Sequence, residues 1–244
     1  MKRQHAFLAA LTAVIALSAG VNVFAQQQPV GLFLRETAMI VPSCLPNPAE
    51  KGAHPEVLGS YVQADGEIPL TPDCLTIPNN LGMTLYGPGK GELKLAHITS
   101  PPMYLWSGLV HSGSWAITFK DKSNYVDLSG PAAKIRWSTR EGGFHLLRPV
   151  LKLADGTFLV GDYAEGYTGD WKETEFPIGN VHWRGMDGDR MVETPDGKIK
   201  DHVDLSKVDE VGFTDLTIGA GHGSGGASRV QWIEVYGKPV KRGG

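Results

Sequence analysis

The chain has 244 residues, 41% of them hydrophobic, a formal charge of −3 and two cysteines. That length can bury a sizeable core in one large domain or two small ones. The mildly acidic balance gives no electrostatic reason to bind nucleic acid or an anionic membrane, and past the N-terminus nothing approaches the roughly 20 consecutive apolar residues of a membrane span.

The N-terminus places Met1-Lys2-Arg3 before an apolar run from Ala6 to Ala19, then Val23-Phe24-Ala25 before Gln26. This is the three-part layout of a secretory signal peptide. Residues 1–25 are therefore expected to be removed and the product to be secreted or periplasmic. Residues 26–92 carry Pro42, Pro46, Pro48, Pro55, Pro69, Pro72, Pro78 and Pro88. Proline removes a donor and fixes φ, so this stretch reads as an irregular arm with short strands at most. Cys44 and Cys74 fall within it, and in an oxidising compartment a disulfide is the default. It would close a loop of about 30 residues, worth on the order of 3–4 kcal/mol in the loop-entropy account.

From residue 93 to 240 the texture is all-β: short β-rich runs between turn residues, without a 3.6-residue period. Strands are expected at Trp115–Lys120, Lys134–Thr139, Leu146–Leu153, Thr157–Val160, Glu210–Ile218 and Arg229–Tyr236. Asp155-Gly156 between two such runs is a strong hairpin signal. Val126-Asp127-Leu128-Ser129 recurs as Val203-Asp204-Leu205-Ser206, and both read as corners leading into strands through local side-chain hydrogen bonds. Many short strands at close spacing favour a β-sandwich of jelly-roll type. If the last expected strand is regular, Ile233 and Val235 face one way, and Val230, Trp232, Glu234 and Tyr236 the other.

The segment between Gly161 and Asp201 mixes aromatic and charged residues with no clear period, and long loops in compact domains are usually functional or disordered. Sugar rings stack apolar C–H faces on aromatic rings while their hydroxyls bind polar side chains. Tyr163, Tyr167, Trp171 and Trp183 with Asp170, His182 and Arg184 supply that mixture. Asp170, Glu173 and Glu175, with His182, are the candidates for a hydrolase or lyase, although no motif singles them out. A structural or interaction protein of the cell envelope is a third reading. The histidines His97, His111, His145, His182, His202 and His222 form no HxH or HxxxH pair. No cofactor is indicated, while a structural calcium could use an acidic turn such as Asp187-Gly-Asp189.

Gly221-His222-Gly223-Ser224-Gly225-Gly226 satisfies GxGxxG, but a β run follows it, whereas a phosphate cradle needs a helix N-terminus. A serine nucleophile elbow would need Gly where His222 stands. The cluster reads as a flexible connection between the last two strands.

Val203-Asp-Leu-Ser206, the run Glu210–Ile218 and Trp232-Ile-Glu-Val-Tyr-Gly237 resemble the C-terminal part of galactose-binding-like jelly rolls, a fold frequent among carbohydrate-binding modules. Tyr125-Val-Asp-Leu-Ser-Gly130 and Lys134-Ile-Arg-Trp137 are similar to their internal strands. The resemblance implies a carbohydrate ligand on loops at one sandwich end, where His222 would lie, and a calcium near the chain's end with Glu234 as the matching ligand. The long segment after Gly161 and the proline-rich arm depart from the pattern and leave room for catalysis.

Overall fold

The computed structural model describes residues 31–34, 67–70, 80–96, 104–108, 110–200, 202–217 and 226–243. Two antiparallel sheets pack face to face. The first runs β11 (Lys172–Pro177), β8 (Lys134–Thr139), β15 (Arg229–Tyr236), β5 (Tyr104–Trp106), β4 (Lys94–Ala96) and β2 (Glu67–Pro69), with β1 (Gly31–Leu34) also pairing with β15. The second runs β13 (Val192–Glu193), β12 (Trp183–Asp187), β10 (Phe158–Gly161), β9 (Leu147–Leu153), β14 (Val208–Asp215), β6 (Trp115–Asp121) and β3 (Leu81–Tyr86). At its margin β7 (Asn124–Asp127) pairs with β14 and β16 (Lys238–Lys241) with β7. Among the described residues the helical stretches are two short 3₁₀ turns, Pro88–Glu92 and Ile178–Asn180.

Side-chain alternation explains the layers. On β8, Ile135, Trp137 and Thr139 point into the core while Lys134 and Arg136 point out. On β6 and β14, Trp115, Ile117, Phe119, Val211 and Phe213 fill the opposite wall, and Trp115 meets Phe213 edge to face at 6.2 Å. Each such large side chain, once buried, contributes on the order of 1.5–3 kcal/mol. Gly212 lets β14 lie against β6, because a Cβ there would sit 1.8 Å from the Ile117 carbonyl oxygen.

The Asp155-Gly156 hairpin forms as expected between β9 and β10. Gly156 has φ +90, a conformation that glycine adopts without strain, and Asp155 Oδ1 accepts the Thr157 N–H at 2.9 Å. The two Val-Asp-Leu-Ser echoes are matching corners: Asp127 Oδ1 accepts the Ser129 N–H, and Asp204 Oδ1 the Ser206 N–H, each at 2.9 Å. They also meet, since the Leu128 N–H donates to the Leu205 carbonyl at 2.9 Å.

β1, β2 and β3 precede residue 93 and pair within the sheets. Three expectations need correction. The segment from Gly161 to Asp201 is not one loop: it holds β11, β12 and β13. On β15 the register shifts between Val230 and Trp232, so Gln231 is an extra residue and Val230 joins Ile233 and Val235 in the core. Likewise the glycine cluster leads from β14 to β15, but β16 follows. The expected disulfide partners Cys44 and Cys74, and His222 in the cluster, lie outside the described residues.

Candidate functional site

At one end of the sandwich, two connections are laced to each other and to the chain entering β15 by main-chain hydrogen bonds. The β8–β9 connection (residues 140–146) gives the Arg140 N–H to Arg229 O and the Gly142 N–H to Ala227 O. Opposite it, the β10–β11 connection (residues 162–171) gives the Thr168 N–H to Glu141 O at 3.1 Å, and Leu147 and Glu165 exchange both bonds at 2.8–2.9 Å. Loops are usually the mobile part of a β-sandwich; here each is tied to its neighbour at two or more points.

Beneath them lies a polar cluster drawn from four segments. Glu141, His145, Asp215 and Ser228 are each no more than 2% exposed. His145 Nδ1 meets Asp215 Oδ2. Ser228 Oγ lies 2.9 Å from the same oxygen and also bonds Glu141 Oε2, while the Thr217 N–H donates to Asp215 Oδ1 at 2.8 Å. Ser107 Oγ accepts the Ser228 N–H at 2.9 Å, which anchors the cluster to β5. Burial pushes the Glu141 carboxyl well above its ordinary value of 4.5, and Asp215 pushes it the same way, against the Ser228 hydrogen bond and Arg229.

Above the cluster the side chains turn outward. Phe144 is 77% exposed, Tyr167 71% and Leu146 44%, while His145, between Phe144 and Leu146, points inward. Leu146 reaches the facing loop, where a Cβ on Gly166 would be 3.2 Å from its Cδ2. Exposed Arg140 and Asp170 belong to the same connections, and exposed Lys172 opens β11. Beside Tyr167, buried Glu165 takes the Tyr163 hydroxyl (2.9 Å) and the Lys172 ammonium (2.7 Å). Burial pushes the Glu165 carboxyl up, but these bonds outweigh it and hold its pKa below the ordinary value.

The anticipated residues divide. Tyr167 and Asp170 are exposed at this end, and Trp171 is half-buried with its ring 5.4 Å from that of Tyr104. Tyr163 is largely a core residue, stacked 3.9 Å from Phe176, and burial raises its phenol pKa. Trp183 is 4% exposed and faces the core from β12, so it cannot stack on a ligand. Arg184, its neighbour on the strand, points the other way and donates to Gly197 O at 2.7 Å. His182 is exposed and pairs with Asp162, Nδ1 to Oδ2 at 2.8 Å.

Of the hydrolase or lyase candidates, Asp170 lies on the β10–β11 connection, and Glu173 and Glu175 follow it on β11. Glu173 and Glu175 stand on the outer face of β11, where Glu175 pairs with Lys134 (3.0 Å) and Arg136 (3.4 Å), and Glu173 with Arg136 (3.7 Å). Glu234, the expected calcium ligand, pairs with Arg136 Nη1 at 2.9 Å, and Tyr236 donates its hydroxyl to the same oxygen. Asp187 Oδ1 accepts the N–H groups of Asp189 and Arg190, a turn closed by its own side chain. Among the described residues no group of three or more His, Cys, Asp or Glu is arranged to hold a metal.

Sequence reading missed Phe144 and Leu146, whose only signal is an apolar–His–apolar alternation after Gly142-Gly143. It also missed a second polar cluster, on the face of the second sheet turned away from the core. There Glu210, 3% exposed, accepts from Tyr86 Oη at 2.9 Å, Lys152 Nζ at 3.1 Å and Thr118 Oγ1, and Lys152 also donates to Tyr86 Oη at 2.9 Å.

No protein-family profile matches the chain, and no curated protein matches it. Solved structures similar to it include the family 11 carbohydrate-binding module of the cellulosomal cellulase Lic26A-Cel5E of Clostridium thermocellum, at 17% identity over 74% of this chain and 99% of that one, with a TM-score of 0.42. A family 11 module of the same organism in complex with a β-1,3-1,4-mixed-linked tetrasaccharide matches at 18% identity over 73% and 99%, with a TM-score of 0.40. The agarase AgWH50C matches at 10% identity over 72% of this chain and 26% of its own, with a TM-score of 0.36.

Proposed function

We propose that the protein is an exported, non-catalytic carbohydrate-binding protein that holds a glycan on its laced loop end. The supporting observation is that Phe144 and Tyr167 stand almost fully exposed on two connections whose main chains are fixed to one another and to a buried polar cluster. An aromatic ring on a rigid support loses little entropy on binding, and its face matches the C–H face of a sugar ring. Arg140, Asp170 and Lys172 provide hydroxyl-binding partners around the rings, as a glycan site needs. Export is supported by the charged, apolar and small-residue order of residues 1–25.

Leu146 favours a second reading, a surface that docks another protein, because an exposed aliphatic side chain offers a sugar no stacking face. A glycan array separates the two. The carbohydrate reading expects at least one glycan to be retained by the wild-type chain and bound more weakly by Phe144→Ala and by Tyr167→Ala. An array with no retained glycan, or with one that both variants bind as tightly as wild type, overturns it.

A further inference from the structure

Glu141 and Asp215 are two carboxyl groups buried around one hydroxyl, and Ser228 has a single proton to give. Its Oγ bonds both Asp215 Oδ2 and Glu141 Oε2. Two carboxylates so placed and withdrawn from water cannot both stay ionised. Asp215 is the one equipped for charge, with His145 Nδ1 and Ser228 Oγ at one oxygen and the Thr217 N–H at the other. Glu141 has the serine at Oε2 and the Arg229 main-chain N–H as a lesser donor, and its buried Oε1 lacks a well-formed hydrogen bond among the described residues. Ser228 therefore donates to Asp215 and accepts the proton carried by Glu141.

We propose that Glu141, held protonated, is the positioning residue of the loop end: its proton locks the β8–β9 and β10–β11 connections to each other and to the start of β15, and its loss releases them. The inference rests on the carbohydrate reading only for what the locked loops present; the lock itself stands on the cluster. Around Glu141 lie His145 from its own connection, Asp215 from the end of β14, Ser228 and Arg229 from the start of β15, Thr168 and Tyr167 from the facing connection, and Ser107 from the end of β5, hydrogen-bonded to Ser228. Asp215 opposes a charge on Glu141, Arg229 favours it, and His145 is engaged by Asp215. A charged Glu141 must reach water, and its own main chain carries the link to the facing loop: its C=O accepts the Thr168 N–H and its N–H donates to Thr168 Oγ1 at 3.2 Å. The next residue, Gly142, holds Ala227. Because the folded chain holds this proton more tightly than the unfolded chain, the lock is complete at low pH and is lost as pH rises through the raised value.

The test follows the Leu146 methyl resonances of the full chain by NMR between about pH 4 and pH 9. The wild-type chain is expected to show one transition, from dispersed to averaged signals as pH rises. Glu141→Gln keeps an N–H donor for Ser228 without a titrating charge, and is expected to stay dispersed throughout. Ser228→Ala removes the hydroxyl that bridges the two carboxyls, and is expected to move the midpoint of the transition. A transition unchanged in Glu141→Gln, which any other titrating group would produce, overturns the proposal, as do a flat wild-type profile or an unmoved midpoint in Ser228→Ala. With a retained glycan as probe, affinity is expected to fall about tenfold or more across the same transition in wild type and to stay level in Glu141→Gln. A Leu146 transition with no glycan bound at any pH overturns the carbohydrate reading and leaves the lock standing.

Discussion

Glu210 and Glu141 are both buried carboxyls, 3% and 0% exposed, yet their surroundings differ in kind. Glu210 faces an ammonium, a phenol and a hydroxyl, all donors, so its charge is matched and its oxygens are filled. Glu141 shares one serine with a second carboxyl and leaves an oxygen without a well-formed hydrogen bond among the described residues. A matched ion pair stiffens a sheet face and has nothing to gain from changing state. An unmatched carboxyl resolves its conflict by holding a proton, which makes its surroundings depend on pH. The matched cluster lies on a sheet face, and the unmatched one lies under the loops that display Phe144, Leu146 and Tyr167.

The largest effect expected to sharpen this contrast is at the matched cluster. Lys152→Met leaves Glu210 buried without its cation and should destabilise the fold by about 3 kcal/mol in chemical denaturation, most of it recovered when Glu210→Gln is added. A loss below about 1 kcal/mol would mean that the pair is screened like a surface one, and the contrast would break.

The second effect is in the pH dependence of stability. Glu141 has a folded-state pKa raised above its ordinary 4.5, so its contribution is fully present below that value and declines as pH climbs through the folded-state pKa. Wild type minus Glu141→Gln, measured by denaturation at several pH values, should therefore fall with rising pH. A difference that grows with pH would reverse the assignment.

Smaller changes are expected on the surface. Phe144→Ala and Tyr167→Ala should alter stability by no more than about 0.5 kcal/mol, while each weakens glycan binding by about 1 kcal/mol. The smallest belong to the two matching corners, where Asp127→Ala and Asp204→Ala each remove an exposed side-chain bond and should lower the thermal unfolding midpoint only slightly.

Where burial falls on one face of a strand, alternation made the structure legible in the sequence: β6, β8, β9, β10 and β15 were all anticipated, as was the Asp155-Gly156 turn between β9 and β10. β11 was hidden because Glu173 and Glu175 stand on its outward face, leaving only Thr174 and Phe176 to mark the inward one. Trp183 looked like a ligand-stacking residue because its chain neighbours are polar, but alternate residues of a strand face opposite ways, and it lies on the inner side. The bulge at Gln231 inserts one residue into an otherwise regular pattern, a break that leaves no compositional trace. The acid cluster was invisible for a different reason: His145 and Asp215 stand 70 residues apart, and Ser228 and Glu141 stand 87 apart. Only the pairing of the two sheets brings them together.

The most direct test is to locate a bound glycan by chemical-shift mapping on the full chain at low pH, where the loops are locked. The account predicts that the largest shifts fall on Phe144, Leu146 and Tyr167 and their immediate neighbours. Shifts centred on Tyr86 and Lys152, or on Arg136 and Trp232, would contradict it.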